Sequence, residues 1–312
     1  MTDLTSKTCL VTGATSGIGL VTARELARMG ATVVGVGRNP EKSAAIAAQI
    51  RQETGNPRVE YLLADLSVQA DIRRLNDQFR AKYDRLHILV NNAGGFYMKR
   101  YETADGLEMT FALNHLSYFL LTNLLLDVIQ SSAPARIVNV SSGASFGGQI
   151  NFDDLQATRR YAGWPAYSMS KLANVMFTYA LARRLQSELR GAPSVTANCL
   201  HPGFVASNFA KNNGRLYDWA MSLMKPITLP PEKGAQTSLY LATSPEVTGV
   251  TGKYFDDKQR NVPSAKISYD EAQQERLWQV SAQLTNIQGA VAQGAVAQSF
   301  VKGNNLFRDS GL

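Results

Sequence analysis

The sequence predicts an α/β domain: a parallel β-sheet with helices packed on both faces. Two observations carry this. Short β-branched runs alternate with amphipathic helical stretches through the first two hundred residues. The runs are apolar throughout rather than at every second residue, as strands buried on both faces must be. A third observation sets the extent. At roughly 150 residues per domain, 312 residues could make two units, but no Pro/Gly-rich linker interrupts the alternation, so division would cut the sheet. One domain over residues 1–288 is expected, with a tail at 289–312.

The elements follow in order. Strands are expected at Thr8 to Val11, Thr32 to Val36, Val59 to Ala64, Leu86 to Val90, Arg136 to Val140 and Val195 to Leu200. Helices fall between them from Gly17 to Met29, Pro40 to Thr54, Val68 to Tyr83, Gly106 to Ile129 and Ala166 to Leu189. Right-handed crossovers are expected throughout. After Pro202 the alternation weakens into an aromatic and Met-rich segment, read as a substrate lid over about 204–230. A helix from Pro231 to Thr243, a short strand at Gly252 to Phe255 and a helix from Tyr269 to Leu284 close the domain. The tail repeats Gly-Ala-Val-Ala-Gln at Gly289 to Gln293 and Gly294 to Gln298, too short for a solenoid, and is expected to be mobile.

Composition narrows the function. The chain is 45% hydrophobic and 18% charged with 24 Gly and 11 Pro, which excludes disorder and collagen-like repeats. Two cysteines, Cys9 and Cys199, and three histidines cannot assemble a disulfide framework or a zinc cluster, so no metal site is expected. The net charge of +7 is spread over the sequence without a basic stripe, which argues against nucleic acid and for anionic small molecules. The N-terminus lacks a signal-peptide core and no stretch reaches ~18 uninterrupted apolar residues, so no integral membrane segment and a cytoplasmic location are expected.

Gly13-Ala14-Thr15-Ser16-Gly17-Ile18-Gly19 directly follows the first strand and opens the first helix, the context in which a glycine-rich turn binds a dinucleotide. Gly13 permits the tight turn, Gly17 close approach of a pyrophosphate, and Gly19 close packing of helix on strand. Free N–H groups at the helix start then hold the phosphates. At the end of the second strand an NAD-binding chain carries a carboxylate for the ribose hydroxyls; here stands Arg38, a planar cation suited to a 2′-phosphate. NADP(H) is therefore the expected cofactor, with Lys42 either a helper or a solvated helix residue. Asp65, followed by Leu66 in the same cofactor edge, either accepts from the adenine amino group or caps the next helix.

Tyr167 and Lys171 lie four residues apart on a helix, hence on one face. A nearby cation favours the phenolate of a tyrosine whose ordinary pKa, about 10, makes it a poor base near neutrality. In order along the chain stand the glycine turn, Asn91-Asn92-Ala93-Gly94, Asn114, Ser142, Tyr167 with Lys171, and Pro202-Gly203. Together they resemble the short-chain dehydrogenase/reductase family over approximately residues 5 to 285.

That resemblance implies a Rossmann-type, doubly wound sheet and a tetrad of Asn114, Ser142, Tyr167 and Lys171. In the family's mechanism Tyr167 donates a proton to a carbonyl oxygen that Ser142 also holds, while hydride reaches the carbon from the nicotinamide. Lys171 binds the nicotinamide ribose, and the main chain near Asn114 places a water that relays protons to it. Ser142 rather than Ser141 matches the family's serine. Asn91, Ala93 and Gly94 are implied beside the adenosine ribose, and Pro202, Gly203, Val205 and Ser207 beside the carboxamide and phosphates. His115 and His201 read as packing residues.

Asn151-Phe152-Asp153-Asp154-Leu155, Lys171-Leu172-Ala173-Asn174 and Leu277-Trp278-Gln279-Val280-Ser281 look like the retinol-dehydrogenase and protochlorophyllide-reductase branch, which acts on bulky lipophilic molecules. A small lipophilic carbonyl or alcohol is the implied substrate, with Phe146, Trp164, Phe204, Phe209, Tyr217, Trp219 and Met224 candidates for its pocket. Two departures bear on this: the chain lacks the hydrophobic N-terminal anchor of membrane-bound retinol enzymes, and Phe204 stands where the protochlorophyllide enzymes carry cysteine. The alternatives are an NADP(H)-sensing regulatory protein without turnover and a light-driven C=C reductase. Family habit implies a homodimer or homotetramer paired through the two long helices from Gly106 and Ala166.

Overall fold

The computed structural model describes residues 2–188, 195–205 and 228–287. The lid segment beyond Val205, including Ser207, Phe209, Tyr217, Trp219 and Met224, lies outside the described residues, as does the tail.

Seven parallel strands form one sheet: β1 (Thr8–Thr12), β2 (Thr32–Gly37), β3 (Val59–Leu63), β4 (Ile88–Asn91), β5 (Ala135–Val140), β6 (Val195–Leu200) and β7 (Tyr254–Phe255), in the order β3-β2-β1-β4-β5-β6-β7. The order reverses between β1 and β4, so the crossovers leave in opposite directions and a crevice opens beyond their carboxyl ends. This is the doubly wound α/β architecture.

Alternation along each strand splits its apolar residues between two layers. Cys9, Val11, Val33, Val138 and Val140 pack under α1 (Gly17–Arg28), α2 (Pro40–Thr54) and α8 (Pro231–Thr243). Leu10, Val34, Val36 and Ile137 face α3 (Gln69–Arg80), α5 (Ser117–Leu124), α7 (Gly163–Glu188) and α9 (Glu271–Leu284). Local chemistry sets the helix ends. Asn39 accepts from the Lys42 N–H at the start of α2, Pro40 follows it, and Gly55 closes the helix at φ 69°. Asp270 caps α9 by accepting from the Gln273 N–H, and the Gln273 amide bonds back to it.

Three boundaries differ from expectation. The helix read as continuous from Gly106 to Ile129 is segmented: α4 (Met109–Phe111), a π-helical turn at Ala112–Leu116, α5, and α6 (Leu126–Ser131). Gly106, at φ 72°, cannot begin a helix; the Glu108 carboxylate does, accepting from the N–H groups of Thr110 and Phe111 at 2.8 and 2.7 Å. Helix α7 begins three residues before Ala166, because Pro165 needs no N–H partner in a first turn. Strand β7 is only two residues long, since Gly252 at φ 65° leaves extended backbone.

Helix α9 lies across α5 and α7. Trp278 packs edge-on against Phe119 at 4.9 Å and stacks with Phe177 at 5.7 Å, while the Arg184 guanidinium covers the indole at 4.0 Å. No helix among the described residues is long and apolar enough to cross a membrane, and no group of His, Cys, Asp and Glu among them could hold a metal.

Candidate active site

A cleft of about 440 Å³ lies at the strand-order reversal, running from the β1–α1 turn to Ser142, Tyr167 and Lys171. Its floor needs glycine. Gly13 is left-handed at φ 64°, and a Cβ there would meet the Ala93 Cα at 2.9 Å; one at Gly19 would come within 2.5 Å of the Gly13 carbonyl. Ser16, extended at φ −166°, caps α1 without a side-chain bond to its first N–H groups, which are left to an anion. This cradle fits the pyrophosphate of a dinucleotide. Gly13, Thr15, Ser16, Gly17 and Ile18 line the cleft, whereas Gly19 lies beneath it as a packing contact.

Thr12 fixes the facing strand end: its hydroxyl accepts from the N–H groups of Asn92 and Ala93 at 2.8 and 3.0 Å. Asn92, Ala93, Gly94 and Gly95 line the cleft, but Asn91 does not. The pleat turns Asn91 to the opposite face, where its amide donates to Thr122 Oγ1 and Asn139 Oδ1, both at 2.9 Å. The asparagine at the cleft is its neighbour. Sequence could have shown this by counting alternation forward from Leu89.

At the adenosine end Val36, Gly37, Arg38, Lys42, Ala64 and Leu66 line the cleft. Asp65 neither lines it nor caps α3, whose N-cap is Val68. It accepts from the Ser67 N–H and hydroxyl at 2.9 and 2.7 Å, forming a turn, and stands 3.7 Å from the Arg38 guanidinium. The Arg38 side chain is 61% exposed.

The chemical end is buried. Ser142 begins the 3₁₀ turn at Gly143–Gly147 and its hydroxyl bonds Tyr167. Ser141 points away, donating to the Lys171 carbonyl at 2.7 Å. Burial pushes the Tyr167 phenol up, and the Ser142 hydrogen bond opposes it. Lys171 donates to the Val140 carbonyl at 3.0 Å, and burial pushes it down to about 7. Its Nζ stands 5.9 Å from the Tyr167 ring centre.

Asn114 is fully buried behind the cleft. Its Oδ1 accepts from the Gly95 N–H at 2.8 Å, and its Nδ2 donates to the Gly95 carbonyl at 3.0 Å and Ser170 Oγ at 2.9 Å. Pro202, Gly203, Phe204 and Val205 close the far wall. Phe96 and Trp164 stand 5.8 and 5.9 Å from the Tyr167 ring; Trp164 lines the cleft, and Phe96 is buried against the phenol. His115 is engaged through both ring nitrogens, and His201 packs on Tyr254. Phe96 was not anticipated: a lone aromatic after a glycine pair carries no local signal.

A dinucleotide cradle joined to a half-buried serine and a buried tyrosine at the switch point defines a nicotinamide-dependent oxidoreductase acting on CH–OH and C=O groups. The chain belongs to the short chain dehydrogenase family, whose profile matches residues 7–217. It is 43% identical over 286 residues to retinol dehydrogenase 12 of Mus musculus, covering 92% of this chain and 88% of that one. Among solved structures, an uncharacterised protein of Mycobacterium paratuberculosis superposes with a TM-score of 0.74 at 33% identity, covering 92% of this chain and 96% of the other. The Pseudomonas aeruginosa RhlG/NADP active-site complex matches with a TM-score of 0.64 at 29% identity, covering 81% and 95%.

Proposed function

We propose that this oxidoreductase uses NADP(H) and reduces an aldehyde or ketone on a hydrophobic small molecule, or oxidises the corresponding alcohol. One observation carries the reading: a single cleft joins the glycine cradle, the Arg38 edge and the Ser142–Tyr167 pair. Arg38 presents a permanent planar cation where a 2′-phosphate would lie, and β2 ends without a carboxylate. The similar RhlG structure holds NADP, which supports the same choice. Trp164 and Phe204 in the cleft lining favour an apolar substrate, as does the likeness to a retinol dehydrogenase.

When bound, the dihydronicotinamide supplies hydride to the carbonyl carbon. The Ser142 hydroxyl holds the carbonyl oxygen, and Tyr167 gives that oxygen its proton. The phenol is protonated at neutral pH and can donate; burial, by pushing it up, makes it a weaker acid, and the Ser142 hydrogen bond opposes that shift. Lys171 sits behind the phenol where it can bond a ribose hydroxyl and return a proton to Tyr167. Asn114 braces Gly95 and thereby the wall on which the nicotinamide ribose would rest.

The test is an NADPH-consumption screen across retinoid, steroid, quinone and small-aldehyde panels, with NADH in parallel. Turnover of lipophilic carbonyls with NADPH is expected. Binding of NADPH with no consumption on any panel would support the regulatory reading instead, and light-dependent C=C reduction would support the third.

A further inference from the structure

Four polar groups with no exposed surface form a line from the π-helical turn to the C-terminal helix. The Asn174 Nδ2 donates to the Asn114 main-chain carbonyl at 2.8 Å. Asn174 Oδ1 lies 3.3 Å from His115 Nδ1, and His115 Nε2 lies 2.9 Å from Ser281 Oγ. Every direction follows from the first bond. A carbonyl only accepts, so the Asn174 amide nitrogen faces Asn114 and its oxygen faces His115. His115 Nδ1 therefore carries the proton, and Nε2 accepts from the Ser281 hydroxyl. Burial holds the imidazole neutral, as this tautomer requires.

The line begins where the backbone is irregular. In the π turn at Ala112–Leu116 the Ser117 N–H bonds back five residues to Ala112, a wider step than α-helical pairing. Carbonyls displaced from their ordinary partners need others when buried, and Asn174 supplies one to Asn114. The Asn114 side chain is meanwhile clamped on Gly95 and on Ser170, whose own hydroxyl donates to the Tyr167 carbonyl at 2.7 Å. Asn114 is thus held from two sides: by the cleft wall through its side chain, and by α9 through its main chain.

We propose that Asn174, His115 and Ser281 are positioning residues that hold Asn114 in register with Gly95 and Lys171, so that α9 supports the chemistry as well as the core. The inference rests on the proposed role of the Asn114, Ser142, Tyr167 and Lys171 set. None of the three touches the cleft, so removing them changes turnover rather than binding. The paired substitutions at His115 separate position from packing. In His115→Asn the side-chain amide can replace Nδ1–H toward Asn174, whereas His115→Ala removes the donor.

The experiment compares steady-state kinetics of the full chain carrying Asn174→Ala, His115→Ala, His115→Asn and Ser281→Ala with wild type, Tyr167→Phe and the packing control Leu277→Ala. Misplacing a reacting group by a fraction of an ångström lowers turnover by roughly 10- to 100-fold, the loss expected in kcat for Asn174→Ala and His115→Ala. KM for NADPH and for the carbonyl substrate should stay within about threefold, since uniform binding is untouched. His115→Asn should recover most of the lost kcat, and Ser281→Ala should lose less than His115→Ala. Wild-type kcat in Asn174→Ala, an equal kcat loss in Leu277→Ala, or no recovery in His115→Asn would overturn the proposal. If Asn174→Ala does not fold, Ser281→Ala, which deletes one hydroxyl, decides: unchanged kcat overturns it. A wild type without turnover, or a Tyr167→Phe variant as active as wild type, would instead remove the functional reading beneath it.

Discussion

The two ends of the cleft are built by opposite means. At the adenosine end the discriminating group is an exposed arginine, with a half-exposed carboxylate 3.7 Å away and water on its open side. At the chemical end Tyr167, Lys171 and Asn114 are buried, and the hydrogen bonds around them run to backbone carbonyls and neighbouring side chains. Solvent screens the first arrangement, so each group in it acts weakly and separately. The second sits in low dielectric, where a polar group is strongly coupled to its partners and losing one is felt by all. Cofactor choice is therefore adjustable one residue at a time, whereas the chemistry is held as a unit.

The largest test of that contrast removes one oxygen. Tyr167→Phe keeps the ring between Phe96 and Trp164 and deletes the proton donor. General acid catalysis contributes on the order of 10²- to 10⁴-fold, and a loss of that size in kcat is expected with KM for NADPH little changed. Rapid-quench or absorbance assays of NADPH oxidation measure it. Ordinary turnover in the variant would place the chemistry elsewhere.

A second test concerns stability rather than rate. Lys171 is held at about 7 by burial, below its ordinary value near 10.4. Between those two values the unfolded chain binds a proton that the folded chain does not, so this residue makes stability rise with pH across the window. Below about 7 both states are protonated and the cost of burying the ammonium is fully present. Lys171→Met should therefore stabilise the ligand-free protein near pH 7, by on the order of a few kcal/mol less the lost bond to the Val140 carbonyl, and the gain should shrink toward pH 10. Urea unfolding of variant and wild type at several pH values checks it. A stability difference flat with pH would show that Lys171 is not desolvated as its surroundings imply.

The same contrast explains what the sequence could and could not disclose. Features set within a few residues were legible: the glycine turn after β1, the strand alternation that separates Leu10 from Cys9 and Val11, and the helical spacing of Tyr167 and Lys171. The choice of Ser142 over Ser141 came only from family likeness, and the structure turns the two hydroxyls in different directions. Features set by partners far along the chain were not legible. The π turn around Asn114 depends on Gly95, Asn174 and Ser170. Asn91 and Asn92 stand on the legible side of that line: they are the same residue type side by side, and the pleat, counted from Leu89, tells which one meets the cleft.

The smallest expected effects lie at the exposed end. Charge-assisted bonds to a phosphate are worth roughly 1.5–3 kcal/mol, so Arg38→Ala should weaken NADPH by about 10- to 100-fold while leaving NADH within a fewfold of its wild-type value. Equal losses for both cofactors would remove the assignment of Arg38 to the 2′-phosphate. Asp65→Asn sharpens the point further. The carboxylate both draws on the Arg38 guanidinium and repels an incoming phosphate, yet a surface pair contributes only about 0–1 kcal/mol, so NADPH should bind at most about fivefold more tightly. Its hydrogen bonds from Ser67 remain available to the amide oxygen, so the turn before α3 should hold. Fluorescence titration with each cofactor at low and high salt separates the two effects: the gain from Asp65→Asn should vanish with salt, because its charge is screened, while Arg38→Ala should retain part of its cost through the lost hydrogen bonds. A gain from Asp65→Asn that persisted at high salt would mean that this end of the cleft is less open to water than the exposure of Arg38 indicates.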